Sequence, residues 1–165
     1  LMSRGLGDVY KRQDVWWSWS PKGGRTMFQL QVDIASRGAQ LLRPGGTMVY
    51  STCSIDPVEN EAVIAELIQK CPWMDVIEID ESNVDGLVWH HGLTAWSPLD
   101  EQGKASEPPQ DVPFFDERYL PPSDDEILNA LSKTRRLYPQ DNNTGGFFVA
   151  LLRLSLIHIS EPTRH

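Results

Sequence analysis

One cysteine in this sequence lies where an apolar run ends and a helix start follows. The run Thr47–Tyr50 leads into Cys53, and Asp56–Glu59 then combines an Asp, a Pro and a Glu in the order typical of a capped helix start. In open α/β sheets, ligands and catalytic groups collect at the carboxyl ends of strands. A thiol at such a strand end can reach a substrate, whereas a thiol within a strand usually only packs.

Helix and strand signals alternate along the chain, which predicts an α/β fold with a doubly wound sheet. A helix is predicted to begin at Thr26, with an inward face of Met27, Leu30, Ile34, Gly38 and Leu41. The strand Thr47–Cys53 shows little alternation, so we expect it to be buried on both faces. A second helix is predicted from Asp56, with an apolar stripe of Val63, Ile64, Leu67 and Ile68. Two further strands are predicted, at Val76–Ile79 and Phe147–Leu154.

Residues 81–122 have little periodicity and several prolines, and we interpret them as a long irregular insertion. The insertion contains two candidate short strands, at 87–89 and 94–96. A capping box from Ser123 then predicts a short helix. Arg135 and Arg136 follow at its C-terminal end, where cations suit the helix dipole.

The two ends of the chain resemble translated sequencing-adapter DNA, in residues 1–13 and 155–165. We exclude both from fold reasoning and take 14–154 as the domain; the alternative is that they are genuine tails. The N-terminus lacks the layout of a signal peptide, and no run of 18 apolar residues predicts a membrane span. Two cysteines without a framework pattern favour a reducing compartment.

The formal net charge of −8 makes the chain acidic, which is a poor electrostatic match for nucleic acid. Any contact with RNA therefore requires a local basic patch or surfaces outside this chain.

Two interpretations of Cys53 stay open from the residues alone, a catalytic thiol and a buried structural thiol. Catalysis by cysteine requires the thiolate, which is scarce at the usual cysteine pKa of about 8.5. A helix start near Pro57 favours an anion nearby, whereas Glu59 and Glu61 disfavour one. Cys71, beside a helix end, is predicted to be inert.

The segment Leu41–Ile68, with GG-T-M-V-Y-S-T-C-S followed by P-V-E-N-E, resembles the motif of Sun-family RNA (cytosine-5) methyltransferases. Arg136–Leu152 resembles the closing segment of the same family in order and spacing. The tryptophan-rich lead-in and the insertion with Trp89 and Trp96 are similar to the eukaryotic tRNA-modifying branch. The resemblance covers nearly all of 14–154.

This resemblance implies the distal half of a Rossmann-like, S-adenosylmethionine-dependent methyltransferase sheet, with the final strand inserted antiparallel between the strands at Thr47 and Val76. It also implies that Cys53 is the nucleophile. Its thiolate would add to C6 of cytosine and make C5 able to accept a methyl group. Thr52 and Ser54 are expected to position the loop around the thiol.

RNA, and tRNA in particular, is the partner that the resemblance implies, with a location in the nucleus or nucleolus. Arg135 and Arg136 are candidate phosphate contacts. Phe147 and Phe148 point to opposite faces of a strand, so one is expected in the core and the other beside the target base; we assign Phe148 to the base. We expect no metal site, because the adjacent His90 and His91 would face opposite sides of a strand.

Two elements of the family are missing from this sequence: the Asp/Gly-rich turn that binds S-adenosylmethionine and the Pro-Cys-Ser motif of a second cysteine. We therefore interpret the chain as the C-terminal part of a catalytic domain and expect it to be inactive alone. Two alternatives stay open. The first is a non-catalytic fragment that binds a protein partner through the exposed aromatic residues of the insertion. The second is an unrelated thiol enzyme that uses Cys53 with His90 or His91.

Overall fold

The computed structural model describes residues 20–99, 104 and 115–155. In these residues four helices run over Pro21–Gln40 (α1), Glu61–Lys70 (α2), Asp125–Ser132 (α3) and Pro139–Asn142 (α4). The strands of the same region are Thr47–Thr52 (β1), Met74–Ile77 (β2), His90–His91 (β3), Arg135–Leu137 (β4) and Phe147–Leu154 (β5). The predicted α/β class is confirmed.

Several predicted features lie outside the described residues: the segments 1–13 and 156–165, the lead-in 14–19, and much of the insertion, at 100–103 and 105–114. Ser155, which we assigned to the second adapter-like segment, is buried. Its backbone N–H donates to the Trp73 carbonyl oxygen at 2.8 Å. A hydrogen bond therefore fixes the chain one residue past β5.

Strand β5 is the centre of the sheet, and its pairings are all antiparallel. Along one edge it pairs with β1, from Thr47 opposite Arg153 to Thr52 opposite Phe148. Its other edge is shared between β4, which pairs with the start of β5, and β2, which pairs with its end. Strand β3 extends the sheet beyond β4. The predicted antiparallel insertion of the last strand between β1 and β2 is confirmed.

The core lies on one face of this sheet, because alternate side chains of β5 point to it: Phe148, Ala150, Leu152 and Leu154. Helices α1, α2 and α3 cover that face with Ala35, Ala39, Ile64, Leu67 and Leu131. The stripe predicted for α2 is confirmed, since Val63, Ile64 and Leu67 are fully buried and Ile68 packs against the same core.

Helix α1 faces the core with different residues from those that we predicted. It begins at Pro21 rather than Thr26, and its buried apolar positions are Phe28, Val32, Ala35 and Ala39. Four of the five predicted inward residues are exposed, from 43% for Met27 to 69% for Leu41. Both sets repeat at helical spacing, so periodicity alone does not select the face; the small Ala35 and Ala39 permit closer packing. Gly38 does lie against β1, where an added Cβ would come within 3.3 Å of Met48 Cε.

Strand β1 is half-covered, so the prediction of burial on both faces is wrong. Met48, Tyr50 and Thr52 point to the core, whereas Thr47, Val49 and Ser51 are exposed. Among the described strands, β1 pairs only with β5 and forms an edge of the sheet. We expected a chain without the first half of the sheet to expose this strand and the Met27 face, and both are exposed.

Helix α2 begins at Glu61 with Asn60 as its N-cap, four residues after the predicted cap Asp56. Asp56 caps a turn instead, because its Oδ1 accepts from the Val58 N–H at 2.9 Å and its carbonyl oxygen accepts from the Glu59 N–H at 3.1 Å. As a result, Asn60 and Glu61, both fully buried, sit at the true helix start.

Other boundaries differ by one to several residues. Strand β2 begins two residues before the predicted Val76, and α3 is capped by Asp124, whose Oδ1 accepts from the N–H groups of Glu126 and Ile127. In the insertion, β3 replaces the two short strands predicted at 87–89 and 94–96. In the described part of the insertion, strand pairing is limited to the two residues of β3, which pair with β4.

Arg136 does not follow the end of a helix, as predicted, but lies in β4 and forms a buried ion pair with Glu61. Its Nε donates to Glu61 Oε1 at 2.6 Å, and its Nη1 donates to the Ile55 carbonyl oxygen at 2.9 Å. Glu61 Oε1 also accepts from the Leu93 N–H at 2.8 Å. The pair therefore joins α2, β4, the loop after Cys53 and the insertion.

Replacement of Arg136 by methionine should lower the free energy of unfolding by about 3–5 kcal/mol, because Glu61 would remain as an unpaired buried charge. Urea unfolding followed by tryptophan fluorescence measures this loss. Lys70→Met is the matched control, since the Lys70–Glu66 pair lies at the surface, and its loss should stay below about 1 kcal/mol. Equal losses for the two variants would contradict the claim that the buried pair stabilises the fold more than the Lys70–Glu66 pair does.

Candidate functional site

Cys53 follows directly after the last residue of β1 and carries an exposed free thiol. The predicted placement of this thiol at a strand end is confirmed. Cys71, in contrast, is buried at the end of α2, where burial raises the pKa of its thiol. Of the two cysteine thiols, one is therefore accessible at a strand end and the other is enclosed in the core.

The two neighbours of Cys53, Thr52 and Ser54, are tied to the side chain of Asn60. Thr52 Oγ1 donates to Asn60 Oδ1 at 2.6 Å, and Asn60 Nδ2 donates to the Ser54 carbonyl oxygen at 3.0 Å. Thr52 Oγ1 also accepts from the Ser54 N–H at 3.2 Å. One side chain at the start of α2 therefore bonds both neighbours of the thiol, the side chain of Thr52 and the backbone of Ser54.

The Ser54 hydroxyl fixes the far side of the same loop. It donates to Glu59 Oε2 at 2.5 Å and accepts from the Asp56 N–H at 3.1 Å. Tyr50 adds a third link, because its hydroxyl donates to the Glu59 carbonyl oxygen at 2.7 Å. The predicted placement of Thr52 and Ser54 around the thiol is consistent with these bonds.

Two titratable groups beside the loop have raised pKa values. Burial raises the pKa of the Asp56 carboxyl, against the hydrogen bond from Val58, which lowers it. Burial also raises the pKa of the Tyr50 hydroxyl, and the charge of Glu59 raises it further. Tyr50 therefore keeps its proton at neutral pH and remains a donor to the loop.

Phe148 does not lie open beside Cys53, as we assigned it, but is fully buried in the core. Its ring packs edge-on against Tyr50, with 6.2 Å between centroids, and beneath the Arg136 guanidinium. The β1–β5 pairing ends at Thr52 opposite Phe148, so the next positions in that register are Cys53 and Phe147. Phe147 is 41% exposed, so of the two adjacent rings it is the one that lies outside the core.

Both arginines predicted to contact RNA are buried and hold protein partners. Arg135 lies in β4 and pairs with Glu78 and Glu81, and Arg136 pairs with Glu61. Their placement at a helix end was wrong, since α3 ends at Ser132. Their contact with RNA stays a prediction, although neither guanidinium is solvated as that prediction assumed.

The two histidines are engaged at other sites. His90 Nε2 lies 2.8 Å from Asp141 Oδ2, and His91 Nδ1 lies 2.9 Å from the Ser132 carbonyl oxygen. The hydrogen bonds described for these rings do not include the Cys53 sulfur, which the alternative of a cysteine–histidine enzyme requires. Within the described ranges, no group of three or more His, Cys, Asp and Glu side chains is arranged to hold a metal ion.

Of the aromatic residues of the insertion that the structure describes, Tyr119 is buried and the others are half-buried. Trp96 donates its indole N–H to the Tyr119 carbonyl oxygen at 2.8 Å, and Tyr119 is buried against Phe28 and Phe115. Phe114 lies outside the described residues. The alternative of an exposed aromatic binding surface therefore gains no support from the described part of the insertion.

Sequence reasoning did not assign Asn60 to the loop around Cys53, and it placed Phe148 rather than Phe147 outside the core. We expected Glu59, Asn60 and Glu61 to cap and orient the second helix, but the Asn60 side chain makes no cap hydrogen bond. A signal for Phe147 was present in the alternation of the last strand, which puts one of two adjacent rings outside the core. Without the register of β1 and β5, the sequence did not indicate which ring that is.

None of the described helices is long and apolar enough to cross a membrane.

Comparisons with known proteins match most of the chain. The sequence profile of the family described as 16S rRNA methyltransferase RsmB/F matches residues 3–153. A multisite-specific tRNA:(cytosine-C(5))-methyltransferase of Saccharomyces cerevisiae is 34% identical over 149 residues, which is 89% of this chain and 21% of that protein. Its counterpart in Schizosaccharomyces pombe is 36% identical over 155 residues, which is 90% of this chain and 22% of that protein.

A solved structure of a methyltransferase homologue from Pyrococcus horikoshii has a similar fold, with a TM-score of 0.52 and 27% identity over 80% of this chain and 32% of that chain. The chain spans about a fifth of the length of the two yeast relatives. The sheet with its antiparallel last strand agrees with a methyltransferase fold, and the profile match covers far more than half of the sequence. The chain therefore belongs to the RsmB/F family of RNA methyltransferases.

Proposed function

We propose that the longer protein containing this chain methylates C5 of cytosine in RNA, with tRNA as its substrate, and that Cys53 is its nucleophile. The observation that carries the proposal is the accessible Cys53 thiol at the end of β1, within a chain of a methyltransferase family. The names of the yeast relatives support cytosine C5 and tRNA as the target. The same resemblance supports the nucleus or nucleolus as the place of action.

The chemistry explains why a thiol is needed. Cytosine C5 is a poor nucleophile because the ring is electron-deficient. When the Cys53 thiolate forms a bond to C6, the electron pair of the C5–C6 double bond becomes available at C5. C5 then bonds to an electrophilic methyl group while the bond from that group to its donor breaks, and the donor leaves with the electron pair of the broken bond. A base removes the C5 proton, the pair of that C–H bond restores the double bond, and the S–C6 bond breaks to release the thiolate.

The methyl donor that the resemblance implies is S-adenosylmethionine, whose sulfonium carries an electrophilic methyl group. We assign no residue of this chain to its binding. At the ends of β1 and β2, polar side chains bond one another, as in Thr52 with Asn60 and Glu78 with Arg135. In the described part of the chain, the buried side-chain atoms without a partner lie elsewhere, in Gln31, Ser36 and Trp89. The donor is therefore expected to bind a part of the longer protein outside these residues.

Phe147 is our proposed contact for the target base. The base must leave its stack so that sulfur can reach C6, and an aromatic ring next to the thiol offers a surface on which the extruded base can stack. The β1–β5 pairs end at Thr52 and Phe148, and the same register continued by one residue would set Phe147 opposite Cys53; the Phe147 ring is partly exposed. The acidic charge of the chain implies that most phosphate contacts come from elsewhere in the longer protein.

The 165-residue chain alone should show no methyl transfer, because it holds the nucleophile but no assigned donor site. The measurement is incubation of the purified chain with tRNA and radiolabelled S-adenosylmethionine. Label transferred to tRNA by the chain, but not by its Cys53→Ala variant, would show that the chain binds the donor and would sink this prediction.

In the full-length protein, Cys53→Ala should reduce methyl transfer to tRNA by about a thousandfold or more, since the covalent route is lost. The matched control is Cys71→Ala, which removes the buried sulfur and should leave kcat near that of the wild type. Retention of turnover in the Cys53 variant would contradict the proposed nucleophile.

Phe147→Ala in the full-length protein should reduce kcat/KM by an amount equivalent to about 1–3 kcal/mol, the usual value of stacking one base on an aromatic ring. Phe147→Tyr keeps the ring and should keep most of the activity. Phe148→Leu is the positional control, and it should lower thermal stability while the folded enzyme keeps its kcat/KM. A normal kcat/KM for Phe147→Ala would remove this residue from the base pocket.

A further inference from the structure

Asn60 occupies the N-cap of α2 but does not cap it. Asparagine is among the preferred N-cap residues because its side-chain oxygen accepts from the second or third N–H of the helix, which contributes about 1 kcal/mol. Here the side chain makes no such bond, and the backbone of Asn60 has φ −119° and ψ −92°. The helix therefore forgoes the usual benefit of an asparagine at this position.

The Asn60 side-chain amide instead bonds the loop 53–56, which we call the thiol loop. Its Oδ1 accepts from Thr52 Oγ1, on the residue before Cys53, and its Nδ2 donates to the carbonyl oxygen of Ser54, on the residue after. The side chain is fully buried, so water does not compete for these bonds. An amide supplies a donor and an acceptor a short distance apart, which is what bridging two chain segments requires.

The link to Thr52 forms a closed arrangement. The Thr52 hydroxyl gives its hydrogen to Asn60 and accepts the N–H of Ser54 at 3.2 Å. Two side chains thus hold the backbone N–H and carbonyl of Ser54, directly after Cys53, and one of them belongs to the residue directly before it, while the Cys53 side chain itself remains exposed. This arrangement fixes the backbone and leaves the sulfur accessible.

We propose that Asn60, acting through Thr52 and the Ser54 carbonyl, is a positioning residue that sets the direction of the Cys53 sulfur toward C6 of the target base. This inference rests on the proposed function. Attack on the ring requires the sulfur at about 3–3.5 Å from the carbon with correct alignment, and a misplacement of 1 Å can cost about a hundredfold in rate. A side chain that fixes both neighbours of the nucleophile removes much of that freedom.

The test uses the full-length enzyme and a matched pair at Thr52. Thr52→Ser keeps the hydroxyl, whereas Thr52→Val keeps the branched shape and loses the hydroxyl. Asn60→Asp keeps the acceptor for Thr52 and loses the donor to Ser54. Ser36→Ala, at a partly buried hydroxyl without a partner and away from the loop, is the control.

Two readouts separate positioning from stability. The first is the rate at which the enzyme, with S-adenosylmethionine, forms a stable covalent complex with tRNA whose cytosines carry fluorine at C5. The complex is stable because release of the enzyme requires a base to remove a proton from C5, and fluorine cannot be removed in that way. The second is hydrogen exchange of the peptide that contains Cys53 and Ser54, which needs no reaction with RNA. Thermal melting and tRNA affinity are measured for each variant.

We expect Thr52→Val and Asn60→Asp to slow complex formation by about 10- to 100-fold with unchanged tRNA affinity, and to speed exchange in the loop. Ser36→Ala should match the wild type in both readouts, and Thr52→Ser, which keeps the hydroxyl, should recover most of what Thr52→Val loses in each. If the folded Thr52→Val and Asn60→Asp enzymes form the complex at the wild-type rate, Asn60 is only structural and the inference is overturned. If the wild type forms no complex, the proposed function is contradicted, and the network then has no catalytic role. In that case hydrogen exchange in the loop still shows whether the network holds the backbone.

Discussion

The buried pair of Glu61 and Arg136 connects most parts of the described chain. Two opposite charges in the core are tolerated only when they satisfy each other and their remaining hydrogen-bonding groups. Here the remaining partners are the Ile55 carbonyl and the Leu93 N–H, which belong to the thiol loop and the insertion. The requirement to satisfy buried charge therefore sets where α2, β4 and the loop after Cys53 lie.

Glu61 and its neighbour Asn60 restrain different parts of the loop that contains Cys53. Glu61 holds the outer part of the loop through Arg136, and Asn60 holds the two residues that flank the thiol. Since both stand at the start of α2, one rigid helix carries the restraints on the loop. A loop held by a helix keeps its geometry better than a loop held by its own turns.

Apolar side chains remain uncovered on helix α1 and on strand β1. Three apolar residues of α1, Leu41 just after its end and Val49 of β1 are exposed, and β1 is an unpaired edge among the described strands. Exposed apolar side chains and an unpaired strand edge both suit contact with further protein. In the longer protein that we propose, the rest of the catalytic domain would pack there, which agrees with the chain's share of about a fifth of its yeast relatives.

Sequence patterns predicted the elements better than their faces and contacts. The apolar stripe of α2, the last strand and the strand end at Cys53 followed from composition and spacing, and the place of β5 between β1 and β2 followed from the resemblance. The inward face of α1 did not, because two sets of apolar residues repeat with the same period and only tertiary packing selects one. Arg136 was predicted to lie at a helix end as a phosphate contact because sequence does not reveal a buried partner 75 positions away. Phe148 was assigned to the base rather than to the core because the register of β1 against β5 was unknown.

The most direct test of the central claim is to identify the amino acid that bonds to the base. The full-length protein is incubated with S-adenosylmethionine and fluorocytosine-containing tRNA, digested with protease and nuclease, and analysed by tandem mass spectrometry. We predict a methylated fluorocytosine nucleotide attached to the sulfur of Cys53. Attachment at any other residue, or no attachment in an enzyme that methylates unmodified tRNA, would contradict the account.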